Sequence, residues 1–302
     1  MAHRSDAMIM PGHARPFSKA IGLMLVASLA LALMSVQVKT LSVQLGVHEI
    51  VFLRSLMHLV LLVPILLGLR VPLARDFKPV LILRGALGYL GVLCFFYSLR
   101  SLPVAFAILI AWTSPLFTVL ASMVLLRERL SASVAAALLI TLGGLYVFLS
   151  PGQATQLPQL RLLLIAFGGA ICAGVSYAVL KKTDPRTSPH SVAFYFSGFA
   201  LLACILRLPG HFEPPRSELW LAILVLGGGA AVYQYSVARA YQIAPALKVA
   251  PLSLLTPLLG GLLDRIWCGQ VLAMHQLWGG ALMLAGIGLI HCRAMLVSAA
   301  RE

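Results

Sequence analysis

LPVAFAILIAWTSPLFTVLASMVLLRER, Leu102 to Arg129, is the stretch on which the reading of this chain turns. From Val104 to Leu126 it carries no charged residue. At about 1.5 Å per residue that run makes about 34 Å of helix, enough to cross the hydrocarbon of a bilayer. Its framework returns in Ala244 to Val271. A proline opens each copy (Pro103, Pro245) and a hydroxyl-proline pair sits in the middle (Ser114-Pro115, Thr256-Pro257). Leucines follow in step (Leu116 and Leu120, Leu258 and Leu262), every pair 142 positions apart. The same offset joins Lys39 with Lys181, Phe52 with Phe194, Gly68 with Gly210, Pro72 with Pro214, Gly85 with Gly227 and Gly144 with Gly286. The chain therefore reads as a duplicated membrane protein whose central spans are broken at Pro115 and Pro257.

Composition points the same way. Of 302 residues, 60% are hydrophobic and 11% charged, with a mean hydropathy of +0.96; an ordinary globular domain is about a quarter charged. The net charge of +14 does not indicate nucleic acid as a partner, because the basic residues are scattered between apolar runs. Cys94, Cys172, Cys204, Cys268 and Cys292 lack metal or disulfide spacing and read as small hydrophobes. The sequence has no HExxH, no paired carboxylates within spans and no P-loop. It thus offers no catalytic residue, metal site or cofactor site, and no usual means of binding ATP.

In chain order, a basic start (Arg4, Arg15, Lys19) leads into an uncleaved first span, Ala20 to Val38. Nine further apolar runs follow: Ile50 to Leu69, Val80 to Leu99, Val104 to Leu126, Ser133 to Leu149, Leu162 to Leu180, Ser191 to Leu206, Leu219 to Val237, Val249 to Ile266 and Met274 to Ile290. The connections are short and leave no room for a soluble domain. With both termini cytoplasmic, inner segments hold fifteen Lys and Arg and outer connections six, so the positive-inside bias sets that orientation in a cell inner membrane. Five spans make one unit. Five is odd, so the second unit enters the membrane inverted. The expected organisation is a tail (1–18), a first repeat (19–150), a second repeat (151–292) and a tail (293–302), all-α, with ten transmembrane helices around a central cavity. A monomer is the default, because both halves are fused in one chain.

The run RGALGYLGVLCFFYSLRSLPVAFAILIAWTSPLFTVLASMVLLRERL, Arg84 to Leu130, followed by LGGLYVFLSPG, resembles the repeat unit of the drug/metabolite transporter superfamily, EamA type. GGGAAVYQYSVARAYQIAPALKVAPLSLLTPLLGGLL in the second half is similar but more diverged. The resemblance covers Lys19 to Cys292. It implies a ten-helix inverted-repeat transporter of small metabolites, often outward, and does not specify the substrate. Glu128 matches the acidic residue that closes the family's fourth helix; its twin, Gln270, departs from that pattern.

Pro115 leaves the carbonyl of Ala111 without its helical donor and Pro257 leaves that of Ser253. Thr113, Ser114 and Thr256 lie in local reach, as would water in a cavity. Gly85, Gly88 and Gly91 share a face of the third span, with Gly227 to Gly229 in the matching place, and read as close-packing positions. The substrate-cavity candidates are the polar and aromatic residues within spans: Ser35, Gln37, Tyr89, Tyr97, Trp112, Ser114, Ser176, Tyr177, Tyr233, Gln234, Ser253 and Thr256. Taken singly each is equally an interfacial anchor or a bond between helices; as a set they suit an amphipathic small molecule. None of the nine acids lies near mid-bilayer, which argues against antiport of cationic drugs. Arg54 and Arg84 lie about one turn from span ends and are expected to snorkel to the interface. The alternative for Arg54 is an electrostatic attraction for an anionic group, and His58, four residues on, is either a packing group or a coupling residue.

The reading is a permease for a small polar or amphipathic metabolite such as an amino acid or related compound, working by alternating access as an exporter. The alternatives are an uptake carrier for a nucleoside-containing metabolite such as S-adenosylmethionine, and a structural or sensory membrane protein.

Overall fold

Segments that are apolar on every side have no wet face to offer, and in lipid their backbone groups must bond within the segment, which leaves the helix as the available form. In the computed structural model this is what the chain builds. It describes residues 14–102, 104–149, 159–184, 186–206, 214–268 and 273–299, among which no strand occurs. The first half folds as α1 (Ala14–Leu41), α2 (Val47–Gly68), a short helix Leu73–Asp76, α3 (Pro79–Ser101), α4a (Val104–Ala111), α4b (Ser114–Leu125) and α5 (Ala132–Leu149). The second half follows as α6 (Leu160–Lys181), α7 (Pro189–Ile205), α8 (Trp220–Ile243), α9a (Ala246–Val249), a 3-10 stretch Ala250–Leu254, α9b (Leu255–Cys268) and α10 (Met274–Ala299). Among the described residues seven segments are long and apolar enough to cross a membrane, and Pro189–Ile205 and Ala246–Gly260 are shorter apolar helices. With α10 they make ten spans.

Helix starts follow local chemistry. Pro79 and Pro189 occupy the first helical position of α3 and α7, where a missing N–H costs nothing. Glu49 reaches back to the N–H of Gly46 (2.6 Å) and closes the start of α2.

The packing is pseudo-symmetric in the 142-residue offset. α3 packs on α6 as α8 packs on α1; α4b packs on α6 as α9b packs on α1; α2 packs on α8 as α7 packs on α3. α5 and α10 pack on each other. The correspondence holds at single residues. A Cβ built on Gly85 would meet Phe199, and one on Gly227 would meet Met57, the twin of Phe199. On Gly144 it would lie 2.8 Å from the carbonyl oxygen of Gly279, while on Gly286, the twin of Gly144, it would lie 2.7 Å from that of Ala137, the twin of Gly279. As α5 is followed from Ala137 to Phe148, its neighbours on α10 run backwards from Gly286 to Gly279. The twin helices are antiparallel, as inverted repeats require.

The structure refines three sequence expectations. The fourth and ninth runs are interrupted, as expected, but each interruption lies just upstream of the proline assigned to it: at 112–113 before Pro115 in the fourth. In the ninth the interruption is the 3-10 stretch carrying Pro251, upstream of Pro257, which sits in the first turn of α9b. α1 begins at Ala14 and α10 extends to Ala299, so helix reaches into both of the expected tails. Gln270, Gly210 and Pro103 lie outside the described residues.

Because backbone atoms bound the site, Gly144→Ala should destabilise the protein by about 1–3 kcal/mol through overpacking. Gly143→Ala, whose Cβ would meet nothing within 4 Å, should be neutral or stabilising by up to about 1 kcal/mol. Thermal unfolding of the two variants in detergent checks the contrast.

Candidate substrate site between the repeats

Arg84 and Gly88 are one turn apart on the face of α3 that packs on α6, and this places the guanidinium among helices instead of lipid. Gly88 leaves the space: a Cβ there would lie 3.0 Å from Nη1 of Arg84 and 2.5 Å from the Phe196 ring. Arg84 is 3% exposed. Its Nη1 donates to Ser176 Oγ (3.2 Å) and its Nη2 to Gln234 Oε1 (3.1 Å), while Ser176 Oγ donates back to the Arg84 carbonyl (2.9 Å). The guanidinium carbon stands 4.4 Å from the Phe196 ring centroid and 5.6 Å from that of Tyr177. Arg54, on α2, is 9% exposed and lies 6.0 Å from the same Phe196 ring. Neither arginine snorkels. Each turns inward because its helix face meets a neighbouring helix.

Aromatic groups complete the wall. Tyr177 and Tyr233 share a hydroxyl–hydroxyl hydrogen bond, and Tyr177 stacks on Tyr241 at 5.6 Å and 7°. His58 is fully buried and its Nδ1 lies 2.6 Å from Ser197 Oγ.

Energies separate the two cations. An arginine at a helix centre costs about 2.5–3.5 kcal/mol on insertion scales. Two hydrogen bonds to the charged group, at about 1.5–3 kcal/mol each, together with two π faces, offset that for Arg84. Arg54 has one ring at the outer limit of a cation–π contact and no hydrogen bond or ion pair among the described residues.

The remaining candidates divide. Ser114 and Thr256 are buried at the starts of α4b and α9b. Trp112, half-buried, packs against the cluster that contains Val119 and Leu254. Tyr89 is buried, its hydroxyl 3.8 Å from Cys204 Sγ. Ser253 Oγ donates to the Ala250 carbonyl and Ser35 Oγ to that of Leu31, both within their own helices. Gln37 is half-buried on α1 and Tyr97 is 46% exposed near the end of α3. At the first break Thr113 Oγ1 donates to the Ile110 carbonyl (2.6 Å), not to that of Ala111. Sequence reasoning missed Phe196, Tyr241 and the inward turn of Arg84; the signal for the last was its spacing of four from Gly88.

One end of the bundle is cross-linked between the repeats. Arg127, in a left-handed conformation (φ 54°), ends α4b and turns Glu128 toward the second repeat. There its carboxylate accepts from the N–H groups of Ala246 (3.2 Å) and Leu247 (3.1 Å), capping α9a. Asp76 accepts from Ser188 N–H (3.0 Å) and Ser191 Oγ (2.6 Å) at the start of α7. Lys78 pairs with Asp184 at 3.1 Å.

The sequence pattern of the EamA-like transporter family matches residues 18–150 and again 160–292. The chain belongs to the EamA-like transporter family. This EamA-like transporter is 29% identical over 229 residues to the pseudopaline exporter CntI of Pseudomonas aeruginosa, covering 76% of this chain and 80% of that one. It is 29% identical to the riboflavin transporter of Vibrio cholerae (76% and 78% covered). It is 26% identical to the S-adenosylmethionine uptake transporter of Rickettsia prowazekii (70% and 72% covered). A crystal structure of a protein 22% identical in sequence shares the fold, with a TM-score of 0.79 over 93% of this chain and 99% of that chain. The EamA-like chain is thus a multi-pass membrane transporter of the drug/metabolite superfamily and not an enzyme.

Two outcomes are expected at the cross-linked end of this transporter. Glu128→Ala should lower the hydrogen-exchange protection of the Ala246 and Leu247 amides by roughly tenfold or more, because both lose a charged acceptor; mass spectrometry of that peptide reads it. The Arg186 N–H, then the Lys78 ammonium, hold the Asp184 carboxyl below its usual range. A depressed carboxylate keeps its contribution above the ordinary range and loses it only as pH falls through the lowered value. Transport rates between about pH 5 and 8, above the ordinary value of ~4, should therefore show no step that Asp184→Asn removes.

Proposed function

We propose that this chain is an inner-membrane secondary transporter, with both termini cytoplasmic, that exports a small polar or amphipathic metabolite such as an amino acid or a related compound. The repeats are 19–150 and 151–292, the chain works as a monomer, and the halves rock about the site between them.

The observation that carries the reading is the Arg84 contact: a first-repeat guanidinium bonded to Ser176 on α6 and Gln234 on α8, both of the second repeat. A polar group held across the repeat boundary changes its partners when the halves move, which is the requirement of alternating access. Ser176, Tyr177, Tyr233 and Gln234 with Arg54 form the centre of the cavity, and Ser114 and Thr256 flank it at the paired breaks. In the proposed orientation the cross-linked end faces the cytoplasm, so this conformation is closed on that side. The likeness to a pseudopaline exporter supports the outward direction.

Counterflow in proteoliposomes tests the proposal, with amino acids, sugars, nucleosides, S-adenosylmethionine and organic acids each run with and without a pH gradient. Saturable exchange of at least one class is expected. A response to the gradient that His58→Gln abolishes would assign coupling to His58. No exchange of any class by folded protein would overturn the carrier reading.

A further inference from the structure

Two buried guanidinium groups share one wall of the site, and among the described residues no carboxylate answers them. The carboxylates whose side chains the structure describes are committed elsewhere: Glu49 to Gly46, Asp76 to Ser188 and Ser191, Glu128 to Ala246 and Leu247, and Asp184 to Lys78; Glu218 is exposed. The Nε of Arg84 is buried with no hydrogen-bond partner, and the whole fork of Arg54 is without one among the described residues. Guanidinium stays protonated at any relevant pH, so burial leaves two like charges that no described residue neutralises, with Phe196 and Tyr177 as π faces beside them. The missing element has a defined chemistry. It is an anion with at least two acceptor oxygens, able to take the free N–H of Arg84 and the fork of Arg54 together.

We propose that the site recognises an organic oxyanion, its carboxylate or phosphate group held between Arg54 and the Nε edge of Arg84, and its apolar body lying against Phe196 and the Tyr177–Tyr233–Tyr241 group. This rests on the carrier reading above and names its substrate class. Aromatic walls favour an organic over an inorganic anion. The same two charges repel a cationic solute, which would find no carboxylate among the described residues to face it.

Thermal unfolding of the purified full-length protein in detergent tests the proposal with four probes that share a phenyl body and differ at the head: phenylacetate, phenyl phosphate, phenylacetamide and phenethylammonium. Phenylacetate, phenyl phosphate or both should raise the midpoint saturably, the two telling carboxylate from phosphate recognition, while the amide and the ammonium should not. Arg54→Gln, which breaks no bond in the structure, should fold and weaken the half-saturation of the anion by roughly tenfold to a hundredfold. Arg84→Lys, which keeps the charge and loses the fork, should weaken it as well. Equal stabilisation by the amide or the ammonium, no stabilisation by either anion at tens of millimolar, or an unchanged response in Arg54→Gln would overturn the proposal. Counterflow of neutral or cationic solutes without anion stabilisation removes the oxyanion and leaves the carrier; anion stabilisation without exchange removes the carrier and leaves the site.

Discussion

A backbone carbonyl in hydrocarbon has no water to bond with, and the arrangement of this chain follows from that constraint. It makes the spans helical, and it keeps the irregular stretches within spans to the interior. The breaks at 112–113 and 250–254 lie in the middle of the fold beside buried Ser114 and Thr256. Hydroxyls there bond nearby carbonyls, as in Thr113 to Ile110 and Ser253 to Ala250. Where a helix must start inside the protein, at Ala246, its free N–H groups are taken up by a carboxylate from the other repeat. Lipid gives helices little apolar reason to associate, so contact depends on close approach. Gly144 and Gly286, each against a backbone carbonyl of the opposite helix, provide it.

Much of this was legible before any coordinates. Span count and duplication follow from uncharged run length and from prolines and glycines that recur at one offset, because a bilayer fixes helix length and a repeat fixes spacing. Ser176, Tyr177, Tyr233 and Gln234 stood out as polar residues inside apolar runs, and the structure brings these four around one guanidinium. The direction of Arg84 was not legible from distance to a span end, since a long side chain near an end can either reach the interface or turn inward. Its i, i+4 relation to Gly88 decides this, and only the identity of the neighbouring helix gives that relation meaning. Phe196 was illegible for another reason: an aromatic residue in an apolar run carries no mark of what will rest on its face. Pro115 and Pro257 each sit in the first turn of the helix that follows a break, directly after 112–113 in the first case; in the second the irregular stretch is longer and carries Pro251, which the spacing of 142 does not mark.

The pseudo-symmetry concerns backbones and not charges. Helix pairs exchange under the 142-residue offset, but the twin of Arg84 is Leu226, that of His58 is Ala200 and that of Gln234 is Val92. Ionic and hydrogen-bonding groups are thus drawn unequally from the two halves, with both guanidiniums from the first and the neutral oxygen partners of Arg84 from the second.

Phe196 occupies, in the second repeat, the position that Arg54 occupies in the first. A symmetric dimer of a single five-helix unit would have to show either two arginines or two phenylalanines at that level, four cations in one chamber or none once Arg84 is counted. Fusion of the copies lifted that restriction. One ancestral position now supplies a cation and its duplicate the ring beside it, a pairing that no pair of identical subunits can make with a single charge.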